Sequence, residues 1–281
     1  MAKVQARTLK GFRDYLPEVE IPRQVLLRKI TDVFESFGFS PLTTPAIEYS
    51  EVLLGKYGTE GDKLLYRFED NGARDVALRY DLTVPLARVV AQHGQLPRPF
   101  KRYQVAPVWR AEKPARGRFR EFTQCDIDIV GEASMRADAE CVMVGLELLA
   151  ALGVPAYEIR VNNRRILDGM LERVGLTDPK VCADSLRTID KLDKIGRDGV
   201  AAELKSVAGL DETTIEGLFT VLEMKVDRIE DLTQLDVLFA DIPSGLEGVA
   251  QLRELLQIVR DAGYKDNVAV DLSIARGLDY Y

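Results

Sequence analysis

Between Val108 and Gly131 the side chains able to do chemistry fall on alternate positions: Arg118, Arg120, Gln124, Asp126 and Asp128 on the even ones, Cys125, Ile127 and Ile129 on the odd. Successive side chains of a strand point to opposite faces. The segment therefore predicts a strand with one apolar face and one bearing cations first, then an amide and two carboxylates. On the preceding stretch Arg110 falls in step with Gln104 and Ala106. Guanidinium groups take phosphate oxygens in charge-assisted, bidentate hydrogen bonds, and carboxylates take an ammonium or an imidazole N–H. A face carrying both suits an anionic nucleotide beside a small cationic molecule. A solvated face with cross-strand ion pairs would read the same way. Around it Arg98, Lys101, Arg102, Arg110, Lys113, Arg116, Arg118 and Arg120 are opposed only by Glu112. In a chain of net charge −7 that concentration marks a local anion site.

Elements must hold these residues. Phe100 to Arg110 and Phe119 to Val130 read as two strands around a charged loop, Ala111 to Gly117. Leu64 to Phe68 and Val76 to Tyr80 flank Asp70-Asn71-Gly72 and predict a hairpin. Pro22 suits a first helical turn, and Leu26, Ile30, Val33 and Phe37 follow at helical spacing up to Gly38. Ser40 to Ser50 reads as extended, Leu82 to His93 and Asp138 to Leu152 as helices, and Glu158 to Asn162 as a short strand. From Arg164 to Asp241 short amphipathic helical patterns replace strand signals, as in Ile166 to Val174, Ser185 to Ile195 and Ile215 to Leu222. Leu246 to Ala262 is again helical and Val268 to Leu272 returns to strand. The class expected is α+β, divided as a core over 1–163, a helical insertion over 164–245 and a return to the core over 246–281. No strand leads through a Gly-rich loop into a helix, so neither a P-loop nor a dinucleotide fold is indicated.

With 46% apolar and 30% charged residues over 281 positions the chain suits an ordered globular protein. No run approaches the roughly 20 apolar residues of a membrane helix, and Met1 to Lys10 lacks the apolar stretch of a signal peptide. Cys125, Cys141 and Cys182 are few and widely spaced, which suits reduced thiols and a cytoplasmic protein. His93 is the single histidine, so a multi-histidine metal site is excluded; a solvent-facing place at a helix C-terminus is expected for it. No protein-bound metal is expected.

Phe100-Lys101-Arg102-Tyr103, Val108-Trp109-Arg110-Ala111-Glu112 and Arg116 to Asp126 together resemble motif 2 of class II aminoacyl-tRNA synthetases. More narrowly they are similar to the histidyl-tRNA synthetase version, in the form familiar from eukaryotic enzymes. Lys10 to Pro17 resembles that family's opening, Gly38 to Tyr49 its motif 1, and Leu78 to Pro85 its amino-acid-binding loop. Val161 to Leu167 is also similar, and Ala275 to Tyr281 resembles its histidine-binding signature. The matches run in order along the whole chain.

The resemblance implies a class II antiparallel sheet flanked by helices, and a ligase that activates histidine with ATP before transfer to tRNA(His). Arg110 would hold the α-phosphate, Glu112 reach the adenine end, and Arg118 and Arg120 serve the outer phosphates or the tRNA end. Arg276 would be a second cation on the α-phosphate and contact histidine. Arg110, Arg276 and Gln124 are thus the catalytic candidates, with Mg2+ arriving with ATP. Asp81 and Thr83 would receive the histidine ammonium with Gln124 close by, Asp128 and Tyr281 would bind the ring, and Tyr280 would line the pocket. Two plainer roles stay open: Glu112 and Arg118 pairing with each other, and Asp81 capping the helix that follows it. Motif 1 implies a homodimer, and the helical insertion is expected to touch the tRNA acceptor arm. The sequence stops at Tyr281, inside the histidine signature. A second histidine motif, motif 3 and an anticodon-binding domain are therefore expected to be missing from it, leaving the fragment short of parts of its ATP site. The alternatives are a catalytically silent synthetase-like protein, either a regulatory subunit of ATP phosphoribosyltransferase or a histidine-binding dimerisation module.

Overall fold

The structure, a computed structural model, describes residues 5–56, 61–264 and 267–275. Two compact units emerge, one made of residues up to 132 with 147–153, the other of 133–146 and 154–275 among the described residues.

The first unit opens with helix α1, Pro17–Ser36. Its first turn is at Pro17, not at the expected Pro22. The Leu16 carbonyl accepts the Val19 and Glu20 N–H groups at 2.9 and 2.8 Å, and Glu18 and Glu20 put negative charge where the helix dipole favours it. Pro22 lies inside the helix. Gly38 then takes φ +77, a left-handed conformation open to glycine at little cost.

Strands β1 (Ser40–Pro41), β5 (Phe100–Trp109) and β6 (Glu121–Val130) form one sheet in the order β1-β5-β6; the β1–β5 pairing is parallel and β5–β6 antiparallel. Strands β2 (Ile47–Tyr49), β3 (Arg67–Glu69) and β4 (Asp75–Leu78) form a second, antiparallel sheet in the order β2-β4-β3. The β3–β4 hairpin is the one expected. Its turn is held by the Asp70 carboxylate, which accepts the Gly72 and Arg74 N–H groups and the Arg74 side chain, and which sits at a pKa of about 2 for that reason. The left-handed residue is Ala73, with φ 57, rather than Gly72. Short α2 (Ser50–Leu53) and α3 (Thr83–Gln92) complete this part, and exposed His93 caps the C-terminus of α3 as anticipated.

Helix α4 covers Met135–Ala151. In the second unit β7 (Ile159–Val161) pairs in parallel with β8 (Val268–Val270), so the strand after the helical stretch returns to the one before it. Between them run α5 (Arg164–Arg173), α6 (Pro179–Ile189), α7 (Leu192–Val207), α8 (Glu212–Leu222), a 3-10 turn at Ile229–Leu232, α9 (Thr233–Leu238) and α10 (Pro243–Asp261). The pattern Ser185 to Ile195, read as one helix, is two. Asp178 starts α6 earlier by accepting the Lys180 and Val181 N–H groups, and the chain breaks after Ile189. A core of Ile166, Met170, Leu204, Leu218, Phe219, Phe239 and Leu252 binds these helices. Helices α5 and α10 approach so closely that a Cβ on Gly169 would lie 2.7 Å from the Cα of Gly245. Among the described residues no helix is long and apolar enough to cross a membrane.

Candidate active site

The antiparallel register of β5 and β6 sets Arg102 opposite Asp128, Gln104 opposite Asp126 and Ala106 opposite Gln124. Side chains opposite one another share a face, so the amide and carboxylates read from β6 meet a guanidinium and an amide from β5. Arg102 is 0% exposed. Its Nη2 donates to the Leu82 carbonyl at 3.2 Å and lies 2.6 Å from Oδ2 of Asp128, close enough for an ion pair though off the hydrogen-bonding direction. Nε and Nη1 of Arg102 find no partner among the described residues, nor does Oε1 of Gln124. Gln104 is buried and exchanges hydrogen bonds with Thr44.

Burial dominates the electrostatics of this face. It raises the Asp128 carboxyl to about 6; Arg102 pulls it down, and Asp126 and Asp81 push it up again. Asp126 is raised as well, first by burial and then by Asp81, against Arg102 and Arg110. Burial lowers Arg102 itself, opposed by Asp128, Asp126 and Asp81. Three carboxylates thus crowd one deeply buried cation. Such a cluster is short of positive charge, which an incoming ammonium or imidazole N–H supplies.

The loop between β4 and α3 brings in the third carboxylate. Arg79 anchors it by donating Nε to the Pro107 carbonyl at 2.9 Å and Nη1 to the Thr44 carbonyl at 2.8 Å. Asp81 is buried, and its Oδ1 accepts the Val84 N–H at 3.2 Å. The capping role is therefore real, and it orients the carboxylate. Thr83 is the first residue of α3 and half-buried.

Arg110 lies one residue beyond β5. Its Nε donates to the Tyr80 carbonyl at 3.2 Å, and its guanidinium carbon sits 4.3 Å from the Tyr80 ring and 5.1 Å from the Phe122 ring. Two aromatic faces and a backbone acceptor hold this cation in place, which suits it to meeting charge without reorganising. Burial raises the Tyr80 hydroxyl, with Arg110 opposing.

Arg118 and Arg120 are not on the strand. The sequence alternation breaks before Glu121 because Gly117, with φ +76, lets the chain turn and pair Ala115 with Arg118. Arg118, its side chain 63% exposed, pairs with the better-buried Glu112 carboxylate. Arg120 donates Nε to the Glu112 carbonyl at 2.9 Å and Nη1 to the Lys10 carbonyl at 3.3 Å, while its own N–H donates to Gly11. A Cβ on Gly11 would meet the Arg120 side chain at 2.8 Å, so the two segments touch.

Asp81, Gln124 and Asp128 therefore share one cluster, Thr83 begins the helix that follows Asp81, and Arg110, Glu112 and Arg118 follow along the same hairpin. Arg120 instead tethers the loop to the segment around Gly11. Arg276, Tyr280 and Tyr281 lie outside the described residues. Sequence reasoning passed over Arg102 as a site residue, and it left Asp126 on the face without a task. The signal was present: Arg102 is in step with Gln104, as Arg110 is.

The family model described as "Histidyl-tRNA synthetase" matches residues 11–281. The chain belongs to the histidyl-tRNA synthetase family. It is 47% identical over 280 residues to the histidine–tRNA ligase of Rhodopirellula baltica, covering 99% of this chain and 63% of that protein. The crystal structure of histidyl-tRNA synthetase from Nostoc sp. PCC 7120 superimposes with a TM-score of 0.88 at 33% identity, over 99% of this chain and 64% of that one. A structure titled as an ATP phosphoribosyltransferase regulatory subunit/histidyl-tRNA synthetase from Bacillus halodurans C matches with a TM-score of 0.82 at 21% identity, over 97% and 69% of the two chains, a likeness of fold alone. The α+β class is thus that of histidyl-tRNA synthetases, and this chain spans under two thirds of the curated relative's length.

Proposed function

We propose that this histidyl-tRNA synthetase chain carries the histidine-activating half of a histidine–tRNA ligase site, with ATP, accompanied by Mg2+, as co-substrate. The observation that carries the reading is the crowding of Asp81, Asp126 and Asp128 around one buried guanidinium on the β5–β6 face, with stacked Arg110 further along the same hairpin. In activation the histidine carboxylate attacks the α-phosphorus of ATP, a P–O bond forms, and pyrophosphate leaves with the electrons of the bond that breaks. Two anions must approach each other, so preorganised positive charge at the phosphate is the main need. Arg110 fills that role here and Arg276 is the second cation. Glu112 receives the adenine end, Arg118 and Arg120 the outer phosphates or the tRNA end. The acidic cluster takes histidine: Asp81, Thr83 and Gln124 the ammonium, Asp128 and Tyr281 the ring, Tyr280 the pocket wall. The Glu112–Arg118 pair then opens when nucleotide binds.

A homodimer through the motif 1 region is part of the proposal. On α1 Val19, Val25 and Leu26, and on β2 Ile47 and Tyr49 on either side of buried Glu48, are large apolar side chains exposed together with Phe68 on β3. Ile47 and Tyr49, two apart on one strand, share a face, and a pair of exposed apolar side chains on one face favours a partner surface where a single exposed leucine would not. The division into a core over 1–163, an insertion over 164–245 and a return over 246–281 belongs to the same reading, with the insertion contacting the tRNA acceptor arm. Free, half-buried cysteines suit a cytoplasmic setting. The regulatory-subunit alternative gains nothing from the shared fold, since a regulator has no need of Arg110 or Gln124.

The test is histidine-dependent ATP–pyrophosphate exchange by this chain, alone and joined to the remaining length of a relative. Exchange with histidine and no other amino acid supports the reading. Lack of exchange in the completed protein refutes it.

A further inference from the structure

The least explained residue of the cluster is Arg102. It is fully buried, directly across the ladder from Asp128, and leaves Nε and Nη1 unpaired among the described residues. A purely structural ion pair would not need this residue in particular, and apolar residues of similar size generally pack as well or better. What the guanidinium does is reach two places at once. Nη2 touches Asp128 at 2.6 Å and the Leu82 carbonyl at 3.2 Å. Asp128 is the ring end of the proposed histidine pocket, and Leu82 lies between Asp81 and Thr83, its ammonium end.

We infer that Arg102 is the positioning residue of the histidine pocket, a buried strut that sets the separation of its ring and ammonium ends and holds Asp128 as the carboxylate that receives the ring N–H. The inference rests on the histidine reading of Asp81, Thr83 and Asp128 and assigns the pocket's length and charge to a residue that itself touches no substrate. The charged groups facing Asp128 are Arg102 from β5, Asp126 from β6 and Asp81 from the loop before α3; Arg110 acts on Asp126. Two of the three around Asp128 oppose its ionisation, so Arg102 supplies the opposing charge. Burial leaves the Asp128 carboxyl at about 6, so a ligand that donates to it displaces a proton near that pH. Both contacts are made by Nη2, which lies one bond farther from the backbone than the ammonium of lysine, so lysine supplies the charge without that reach.

The experiment is calorimetric titration of the chain with histidine, in buffers of different ionisation enthalpy so that released protons are counted, repeated with a homologue one methylene longer. Wild type is expected to bind histidine, reject the longer homologue, and release a proton in the range around pH 6. Arg102→Lys keeps the charge: its proton release stays at the wild-type pH, while histidine affinity falls by about tenfold or more and the preference for histidine over the homologue narrows. Arg102→Met loses both functions, and its proton release moves to higher pH. Asp126→Asn, which keeps Arg102 and removes a carboxylate that opposes it, moves the release to lower pH and stands as the readout if the Met variant does not fold. Unchanged affinity, selectivity and proton release in the Arg102 variants would overturn the inference while leaving the histidine reading intact. So would a loss of affinity with selectivity and proton release unmoved, the mark of a merely structural role. No histidine binding by wild type would overturn the underlying reading and this inference with it.

Discussion

The two units bury different things. In the first, the buried polar and charged side chains are Thr44, Glu48, Ser50, Arg79, Asp81, Arg102 and Gln104; in the second they are only Ser185 and Thr188, among the described residues. The second unit is a conventional apolar helical core around Phe219 and Phe239. Buried charge is expensive unless compensated, and compensated charge is still no better for stability than apolar packing. The first unit therefore carries its charge for something other than holding itself together. Proteins tolerate such conflicts chiefly at functional sites, and here the conflict falls where the motifs led.

The sharpest way to break this contrast is Phe239→Ala. The ring is fully buried and packs where a Cβ on Gly245 would come within 2.5 Å of its Cγ. A loss of about 4 kcal/mol is expected, seen as a lowered urea midpoint in circular dichroism. The fluorescence of Trp109, the only tryptophan and a residue of the first unit, should follow its own midpoint. A joint shift of both signals would mean the units unfold as one. Next comes Glu48→Gln, which strips the buried partner of Arg88, now held through three hydrogen bonds of 2.7 to 3.0 Å. About 3 kcal/mol should be lost, and the fluorescence midpoint should move.

Asp128→Asn tests the cost of the acidic cluster by pH. Folding raises this carboxyl from 3.8 to about 6, so the folded chain holds its proton more tightly than the unfolded one. Its penalty is absent below the unfolded pKa, grows as pH rises through that window, and is complete above the folded pKa. The stability of Asp128→Asn relative to wild type should therefore rise with pH between those two values, by about 2–3 kcal/mol. A flat difference would remove Asp128 from the list of strained groups. In the second unit Gly196→Ala should cost about 2 kcal/mol, because φ +70 with ψ 175 is a backbone region kept almost entirely for glycine, although nothing lies within 4 Å of the added methyl. The smallest effect expected is from Lys205→Ala. That exposed ammonium pairs with Glu212 at 3.4 Å in open solvent, where screening leaves little, and its unfolding midpoint should be indistinguishable from wild type.

What was legible in the sequence follows the same division. The β5–β6 hairpin and its polar face could be read because alternation is a strict period that ten-residue strands display in full. The start of α1 was misplaced because two prolines, Pro17 and Pro22, satisfy the same local rule, and only the acidic first turn separates them. The break after Ile189 was hidden because apolar spacing continues across it into α7. In the site, residue types revealed the chemistry but not the partners. That Arg102 lies across from Asp128, and that Arg120 reaches back to Lys10, are matters of register and of a turn at Gly117, which motif order alone does not contain.

The tether at Gly11 has a consequence of timing. The Arg120 amide is closed by the Gly11 carbonyl at 2.8 Å, in the same contact that holds the loop of Glu112 and Arg118. Whatever lifts that loop must first expose this one hydrogen to water, so its exchange with deuterium is a clock for loop opening. A nucleotide that clamps the loop shut would slow the clock by the factor in which it shifts the equilibrium, and would slow it at a residue that need not touch the nucleotide at all.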